Sequence, residues 1–404
     1  MKVIFFYPSY RDKIGRKDRV EFPPLGMLSI CAVLEDLGCE VGVFPLDMET
    51  NVDSLPEAEI YAYTITATVT YPIFLSKVPK LKNKAEIHIA GNTHASIFPK
   101  EVLNELKLNV VFCGEAEIAI RDWFNNGLKQ YGIIQGGRVN INEIPFPARH
   151  LLPPEQIYLN YRIGGKYNNV ISMFSSRGCI HKCSFCAVQC RGSVRFRTPQ
   201  NFKSELQQIL NNYHLCEGLV LLDSNFTISK QHAINISKTI KEFNLPWECN
   251  SRPDTLTGEI IHELVNSNCQ EIKLGIETGS QRLLEMMHKD INLLRTKQII
   301  KLAFDLGLPV KLYIMHGFPG ENMSTTKETI AYLSELRPYI YRIGLYRFAP
   351  MPGSEVYTNP EIRKLDWSQY TIYENNNHWF GKIEDFEEIE ESFQLLREFV
   401  DKNF

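Results

Sequence analysis

The stretch Ser175-Ser176-Arg177-Gly178-Cys179-Ile180-His181-Lys182-Cys183-Ser184-Phe185-Cys186 puts three cysteines on one short segment with C-x3-C-x2-C spacing. Cysteine thiolates are the ligands of iron–sulfur clusters. Three of them can hold three irons of a [4Fe–4S] cubane and leave the fourth iron open to an outside ligand. Cys190 follows Cys186 by four residues and keeps two other readings open. With it, the segment has the thiols for a fully ligated electron-transfer cluster or for zinc, although zinc sites more often use two separated cysteine pairs. The favoured reading takes Cys179, Cys183 and Cys186 as the metal ligands and leaves Cys190 out. Its warrant is position: the segment follows the apolar run Val170–Phe174, which reads as a first barrel strand, and β/α barrels place their cofactor sites at strand ends.

Downstream, the same rhythm continues. Compact apolar runs at Gly218–Asp223, Trp247–Ser251, Glu271–Ile276, Val310–Met315 and Tyr341–Phe348 alternate with helical stretches. Those helices fit at Phe202–Tyr213, Lys230–Phe243, Gly258–Asn266, Ser280–Met287, Leu293–Leu306 and Ser324–Leu336. Six strand–helix units make a partial (β/α)6 barrel of the TIM type, short of the eight that close one. Spacing alone does not distinguish this from a second open sheet.

Upstream, short runs at Val3–Tyr7, Val41–Phe44, Ile60–Thr64, Ile87–Ala90 and Val110–Cys113 have the continuous apolar character of buried parallel strands. A helix fits from Pro24 to Leu37, with proline near its start and Gly38 after its end. The chain therefore reads as α/β, an N-terminal doubly wound Rossmann-like parallel sheet followed by the partial barrel. Ligands of doubly wound sheets bind beyond the carboxyl ends of the strands. Here that edge carries Thr64, Thr66, Thr68, Gly91 and Asn92. Ile144-Pro145-Phe146-Pro147 and Leu152-Pro153-Pro154 break regular structure. The expected division is thus a first domain over 1–130, a linker over 131–168, a core over 169–360 and an extension over 361–404 with a helix near Ile389–Phe399.

Composition narrows the partners. The formal net charge of −3 gives no global attraction to nucleic acid or anionic membrane. No apolar run reaches the roughly 18 residues of a membrane span. The opening Met1-Lys2-Val3-Ile4-Phe5-Phe6-Tyr7-Pro8 is too short and too soon ended by proline for a signal peptide. A cytoplasmic, reducing compartment is expected, with Cys31, Cys39, Cys113, Cys216, Cys249 and Cys269 as small core residues rather than disulfides.

The cysteine segment and its surroundings resemble the radical SAM superfamily. The resemblance implies a [4Fe–4S] cluster whose open iron takes the amino nitrogen and carboxylate of S-adenosylmethionine (SAM). An electron from the cluster then cleaves SAM to methionine and a 5′-deoxyadenosyl radical. Phe185, before the third cysteine, matches the aromatic residue expected by the adenine. Leu221-Leu222-Asp223-Ser224-Asn225-Phe226 resembles the second strand end, with Ser224 where a second acid is common. Asn250-Ser251-Arg252-Pro253-Asp254 resembles the third, where Arg252 either holds the SAM carboxylate or serves a structural ion pair. Gly275-Ile276-Glu277-Thr278-Gly279-Ser280 resembles the fourth, which implies that Glu277 contacts SAM; its plainer reading is an acid at a helix start. Gly317-Phe318-Pro319-Gly320-Glu321 resembles the fifth, and Gly317 and Gly320 either approach the adenosine or form a turn. Arg191, Arg195 and Arg197 form a local basic cluster, most simply a solvated one. Tyr313, Tyr346 and Arg347 either line the cavity or, as is more common for strand aromatics, serve packing.

The first half resembles the cobalamin-binding domain of many radical SAM enzymes, through Phe22-Pro23-Pro24-Leu25-Gly26, Ile89-Ala90-Gly91-Asn92-Thr93-His94-Ala95 and Phe112-Cys113-Gly114-Glu115. Thr64, Thr66, Gly91 and Asn92 are then the expected cobalamin contacts. The Asp-x-His-x-x-Gly motif that supplies an axial histidine elsewhere is absent, and His94 is not assigned in its place. The resemblance implies a cobalamin-dependent radical SAM enzyme, with methylation of an unactivated carbon as the leading activity. A non-methylating rearrangement, cyclisation or epimerisation is the alternative. The near-neutral charge leans toward a small-molecule or peptide substrate rather than nucleic acid, and the expected partner is an external electron donor such as flavodoxin or ferredoxin.

Overall fold

The computed structural model describes residues 1–9, 22–188, 190–371 and 379–404. The chain forms two compact units, one of residues 1–160 with 366–368, the other of residues 161–365 with 369–404.

The first unit is built on six parallel strands: β1 (Lys2–Pro8), β2 (Glu40–Leu46), β3 (Ile60–Thr64), β4 (Ile87–Gly91), β5 (Val110–Cys113) and β6 (Gly132–Gln135). Their order is β2-β1-β3-β4-β5-β6. The direction of winding reverses between β1 and β3, which is the topological switch point of a doubly wound sheet. β3 and β5 are buried along their whole length, because helices cover both faces of such a sheet and every side chain must be apolar or satisfied. Phe6, Tyr61, Tyr63 and Phe74 lie in this core. Tyr61 donates to Pro56 O at 2.5 Å and Tyr63 bonds His88 Nδ1 at 2.9 Å, so both phenols enter the core without an orphaned hydroxyl. The helix Leu25–Asp36 starts after Pro23-Pro24 and ends before Gly38, whose φ of +79° suits a glycine.

The five expected strands are all present, and one was missed. Gly132–Gln135 lies in the stretch read as linker, yet it pairs with β5 from Val110↔Gly132 to Cys113↔Gln135. At four residues with an exposed Gln135, it is a short edge strand whose apolar pattern is too brief to stand out. Within this unit, Trp367 packs its ring against Tyr71, His94 and Phe98 at 5.1 to 6.3 Å.

The second unit contains β7 (Val170–Met173), β8 (Ser176–Cys179), β9 (Ser193–Phe196), β10 (Gly218–Leu221), β11 (Trp247–Ser251), β12 (Cys269–Glu277), β13 (Val310–His316) and β14 (Arg342–Arg347). Six of these form a parallel sheet in the order β14-β13-β12-β11-β10-β7. Each strand lies beside the one before it in that series. Right-handed crossovers that never reverse put every helix on one face and curl the sheet away from them. That consecutive order, invisible to spacing, marks the partial barrel. β13 records the two faces: Val310, Leu312, Ile314 and His316 are buried, whereas Lys311, Tyr313 and Met315 are half-buried on the other side. The helix Phe386–Asn403 extends the expected C-terminal helix in both directions and packs on the helix Met323–Leu336. Among the described residues no helix is long and apolar enough to cross a membrane.

Candidate cofactor site at the cysteine segment

The first cysteine does not float on a loop. β8 pairs antiparallel with β9 from Ser176↔Phe196 to Cys179↔Ser193, so Cys179 is the last residue of a hairpin strand. Gly178, at φ +102°, makes the hairpin possible: a Cβ there would lie 2.1 Å from Ser193 O and 2.8 Å from Cys190 O. Cys179 N donates to Cys190 O at 3.1 Å, and Gly192 N donates to Cys179 O at 2.9 Å. The main chain of Cys190 thus closes the loop that carries the cysteines.

Asp223 anchors the base of this loop. Its side chain is 1% exposed and accepts from Ser175 N at 3.1 Å, from Ser175 Oγ at 2.9 Å and from Ser176 Oγ. Burial pushes its carboxyl upward, and these hydrogen bonds oppose the shift. Its oxygens are engaged three to four residues before Cys179, so Asp223 positions the base of the cysteine segment. Ser175 Oγ also meets His232 Nε2 at 2.9 Å, and burial lowers that imidazole to about 4. Arg197 is not a solvated charge: it is 8% exposed, pairs with Glu205 and donates to Asn201 Oδ1 at 2.6 Å. Arg191 Nη2 donates to Cys183 O at 3.2 Å.

Cys183 is the buried member of the three, at 7% exposure, while Cys179 and Cys186 are half-buried; none is in a disulfide. Arg252 Nη1 donates to Cys183 Sγ at 3.3 Å. The other edge of the guanidinium holds Asp254 through Nε at 2.9 Å and Nη2 at 3.1 Å. Arg252 thus joins an ion pair to a thiol contact. Burial raises the Cys183 thiol, and Lys289 and Arg252 pull it back down. A cation that donates to sulfur favours the thiolate, the form that ligates iron. Ser184 N donates to Met287 O at 2.9 Å and Val356 N to Ser184 O at 3.1 Å, which ties the segment to two neighbouring loops. Among the described residues no three His, Cys, Asp or Glu side chains gather as ligands of a single metal ion.

Glu277 ends β12 with φ +67°, after a register shift between Gly275 and Glu277 against β13. Such a bulge re-aims a side chain at the end of a strand. The carboxylate pairs with Lys289, both being largely buried. A Cβ at Gly275 would lie 2.7 Å from Glu277 Oε1 and 3.0 Å from Lys289 Nζ, so that glycine makes room for the pair. Lys289 Nζ also stands 5.7 Å from the centre of the Phe185 ring. Lys289 had escaped the sequence reading because Met287-His288-Lys289-Asp290 has no motif spacing. Its signal is indirect: a buried strand-end carboxylate needs a cation.

Gly317 and Gly320 have φ of +94° and +92°. Glu321 N donates to Phe318 O at 2.8 Å across Pro319-Gly320, the sequence and dihedral of a type II turn. Gly320 also makes a close approach, but to Met286: a Cβ would lie 2.7 Å from Met286 Cε. Glu321 beneath the turn is pushed up to about 7 by burial, opposed by the Thr325 hydroxyl at 2.5 Å.

In the first unit, Thr66 is exposed and Gly91 and Asn92 are half-buried at the carboxyl edge, with Thr64 closed into the sheet at 5% exposure. Ile65 N donates to Gly91 O at 3.1 Å and His94 N to Ile65 O at 3.0 Å, so the loops after β3 and β4 hold each other. Asn92, at φ +81°, accepts from Thr93 N at 2.8 Å. His94 is enclosed by Tyr71, Phe98 and Trp367 and bonds Thr68 Oγ1 at 3.1 Å. Its imidazole is buried, at 1% exposure.

Comparison with known proteins matches residues 173–333 to the Radical SAM superfamily. An uncharacterized methyltransferase of Pyrococcus horikoshii is 24% identical over 408 residues, covering 92% of this chain and 86% of that protein. The cytidylyl-2-hydroxyethylphosphonate methyltransferase of Streptomyces wedmorensis is 24% identical over 82% of this chain and 77% of its own. The fold, first unit included, is shared with the radical S-adenosylmethionine methyltransferase TsrM of Kitasatospora setae, solved with cobalamin and a [4Fe–4S] cluster bound. That match has a TM-score of 0.67 at 15% identity and covers 88% of this chain and 76% of that one. Residues 173–333, which hold the cysteine segment and most of the consecutive parallel sheet that carries it, thus belong to the radical SAM superfamily.

Proposed function

We propose that this chain is a cobalamin-dependent radical SAM C-methyltransferase acting on an unactivated carbon of a small molecule or peptide. The observation that carries the radical half is the arrangement around Cys183: a buried thiol held by Arg252, with the Glu277–Lys289 pair and Phe185 beside it at the carboxyl end of the sheet. The donor set fits a [4Fe–4S] cluster, with three uncombined thiols on one segment and a cation favouring the thiolate of the most buried one. Cys179, Cys183 and Cys186 would hold the cluster, which supplies one electron to cleave SAM into a 5′-deoxyadenosyl radical. Around it, Asp223 fixes the base of the loop, Gly178 lets the hairpin close, and Arg252 orients Cys183. Glu277 is paired with Lys289, which makes a polar strand end for the amino acid part of SAM, while Phe185 offers a flat apolar face for an adenine.

The methyl half rests on the first unit. Its reversal between β1 and β3 and its open edge at Thr66, Gly91 and Asn92 suit a flat corrin ligand. These residues would hold cobalamin, which supplies the methyl group. The methyltransferase names of the relatives point the same way. An external one-electron donor such as a flavodoxin or ferredoxin would complete the system, in the cytoplasm.

The test is anaerobic reconstitution with iron, sulfide and cobalamin, followed by reduction with deuterated-methyl SAM. The expected results are cobalt and about four irons per chain, an EPR signal that changes when SAM is added, and 5′-deoxyadenosine formation that C183A abolishes. An EPR signal indifferent to SAM would overturn the radical half. Deoxyadenosine without transfer of label to the substrate would overturn the methyl half.

A further inference from the structure

The half-buried face of the second sheet holds a group of charged side chains that the cofactor chemistry does not use. Register places Glu248 of β11 beside Glu271 of β12, Lys273 beside Lys311 of β13, and Lys311 beside Arg342 of β14. Most of these charges are matched. Arg342 grips Glu271 through Nε at 2.6 Å and Nη2 at 2.7 Å. Lys273 pairs with Glu248, and the Tyr161 hydroxyl donates to Glu248 Oε2 at 2.7 Å and accepts from Arg342 Nη2 at 2.7 Å. Two carboxylates thus face three cations, and Lys311 is the one left over. Its ammonium stands 5.0 Å from the centre of the Tyr313 ring and has no hydrogen-bond or ion-pair partner among the described residues.

The wall around Lys311 is built from alternate residues of β13 and from the neighbouring strand β14. Lys311, Tyr313 and Met315 alternate along the half-buried face of β13, with Gly344 beside Tyr313 on β14. A Cβ at Gly344 would lie 3.0 Å from Tyr346 Cε2, 3.1 Å from Tyr313 Cδ1 and 3.2 Å from Lys311 Cε, so a side chain there would crowd all three. Tyr313 and Tyr346 lean together with ring centres 5.7 Å apart, and the Tyr313 hydroxyl has no hydrogen-bond partner among the described residues. Burial keeps that phenol protonated, hence a donor. Glu277 pairs with Ile314, three residues along β13 from Lys311. At 3.3 Å per residue the Lys311 backbone therefore lies roughly 10 Å along the strand below that of Glu277.

We infer that this face is the substrate-binding wall, and that it binds an oxyanion group of the substrate, a carboxylate or a phosphate, between the Lys311 ammonium and the Tyr313 hydroxyl. Calling the ligand the substrate rests on the function proposed above; the anion site itself does not. An anion there supplies the negative charge that Glu248 and Glu271, already engaged, cannot. It also directs the rest of the molecule along β13 toward the strand ends where the radical would form. Burial, with Arg342 and Lys273 close by, lowers Lys311 to about 8, the behaviour of a cation that lacks its counter-ion.

The experiment is NMR of the full-length, cluster-reconstituted chain after reductive 13C-methylation of its lysines, titrated with inorganic phosphate in one arm and succinate in another. The resonance missing from K311M is expected to titrate near 8, and to move to higher pH by half a unit or more with millimolar amounts of at least one of the two anions. The responding arm tells phosphate from carboxylate. Y313F, which keeps the ring and removes only the hydroxyl, is expected to weaken that response several-fold. It keeps the site testable should K311M fail to fold. A Lys311 resonance that titrates like the surface lysines, or that ignores both anions at tens of millimolar, would overturn the inference. SAM cleavage by the wild-type chain without an anion response overturns this inference alone, whereas an anion response without SAM cleavage overturns only the proposed enzyme.

Discussion

At the residue scale, the site depends on charges placed where water is scarce. Glu277 and Lys289 are exposed by only 13% and 5%, so neither is compensated if the other is removed. K289M is expected to destabilise the second unit by about 3 kcal/mol, because an unpaired buried carboxylate costs more than the pair contributes. The double variant K289M/E277Q should recover most of that loss; urea unfolding midpoints of the three proteins check both. Arg252 acts on chemistry more than on stability. R252A leaves Cys183 without its donor and Asp254 without its partner. Iron bound after anaerobic reconstitution should fall several-fold, with R252K in between because a lysine keeps the charge but not the fork. The cysteines were legible because their spacing is itself the signal. Glu277 was legible as a candidate from its place between glycines at a strand end. Lys289 and Asp254 were not, since a counter-charge is defined by proximity, and Lys289 lies twelve residues from the group it neutralises.

At the element scale, local geometry holds the cysteines in place. G178A would drive a Cβ to 2.1 Å from Ser193 O, a backbone atom that cannot swing aside. The hairpin β8–β9 should open, with most of the iron lost and a lower thermal midpoint for the second unit. N322A is the mild contrast. Asn322 caps the helix Met323–Leu336 in a reciprocal box with Thr325, and its loss should cost about 1 kcal/mol by denaturant unfolding with iron content unchanged. The regular strands and helices were legible through apolar runs and end signals. The hairpin was not, because Ser176–Cys179 and Ser193–Phe196 have no alternating pattern and are joined by register alone. The bulge before Glu277 escaped for the same reason. It is a mismatch between β12 and β13, which neither strand carries by itself.

At the scale of the whole molecule, stability should be sensitive to acid. Burial lowers His94 and His232 to about 4 and His316 to about 3 from an ordinary 6.5. Between pH 6.5 and 4 the unfolded chain takes up protons that the folded chain refuses. The contribution of these neutral imidazoles is thus complete above pH 6.5 and is lost as pH falls toward 4. Denaturant midpoints measured across that window should decline. H94F, which exchanges the enclosed ring for an apolar one at the cost of the Thr68 bond, should decline less steeply.

The sequence by itself determined the chemistry and the alternation of elements. Ligand spacing, strand hydrophobicity and helix ends are properties of neighbours along the chain, so the three cysteines, eleven of the strands and the α/β class could be read from it. Only the tertiary structure decided what those elements do for one another. It set the consecutive strand order that makes the second sheet a partial barrel and the reversal that makes the first sheet doubly wound. It turned Asp223 inward to brace the cysteine segment, gave Arg252 to Cys183 and Asp254, and left Lys311 on the half-buried face with no ion-pair partner among the described residues. Each of these is a pairing between groups distant in sequence. Burial and electrostatics act through space, and a linear pattern does not say which groups will meet.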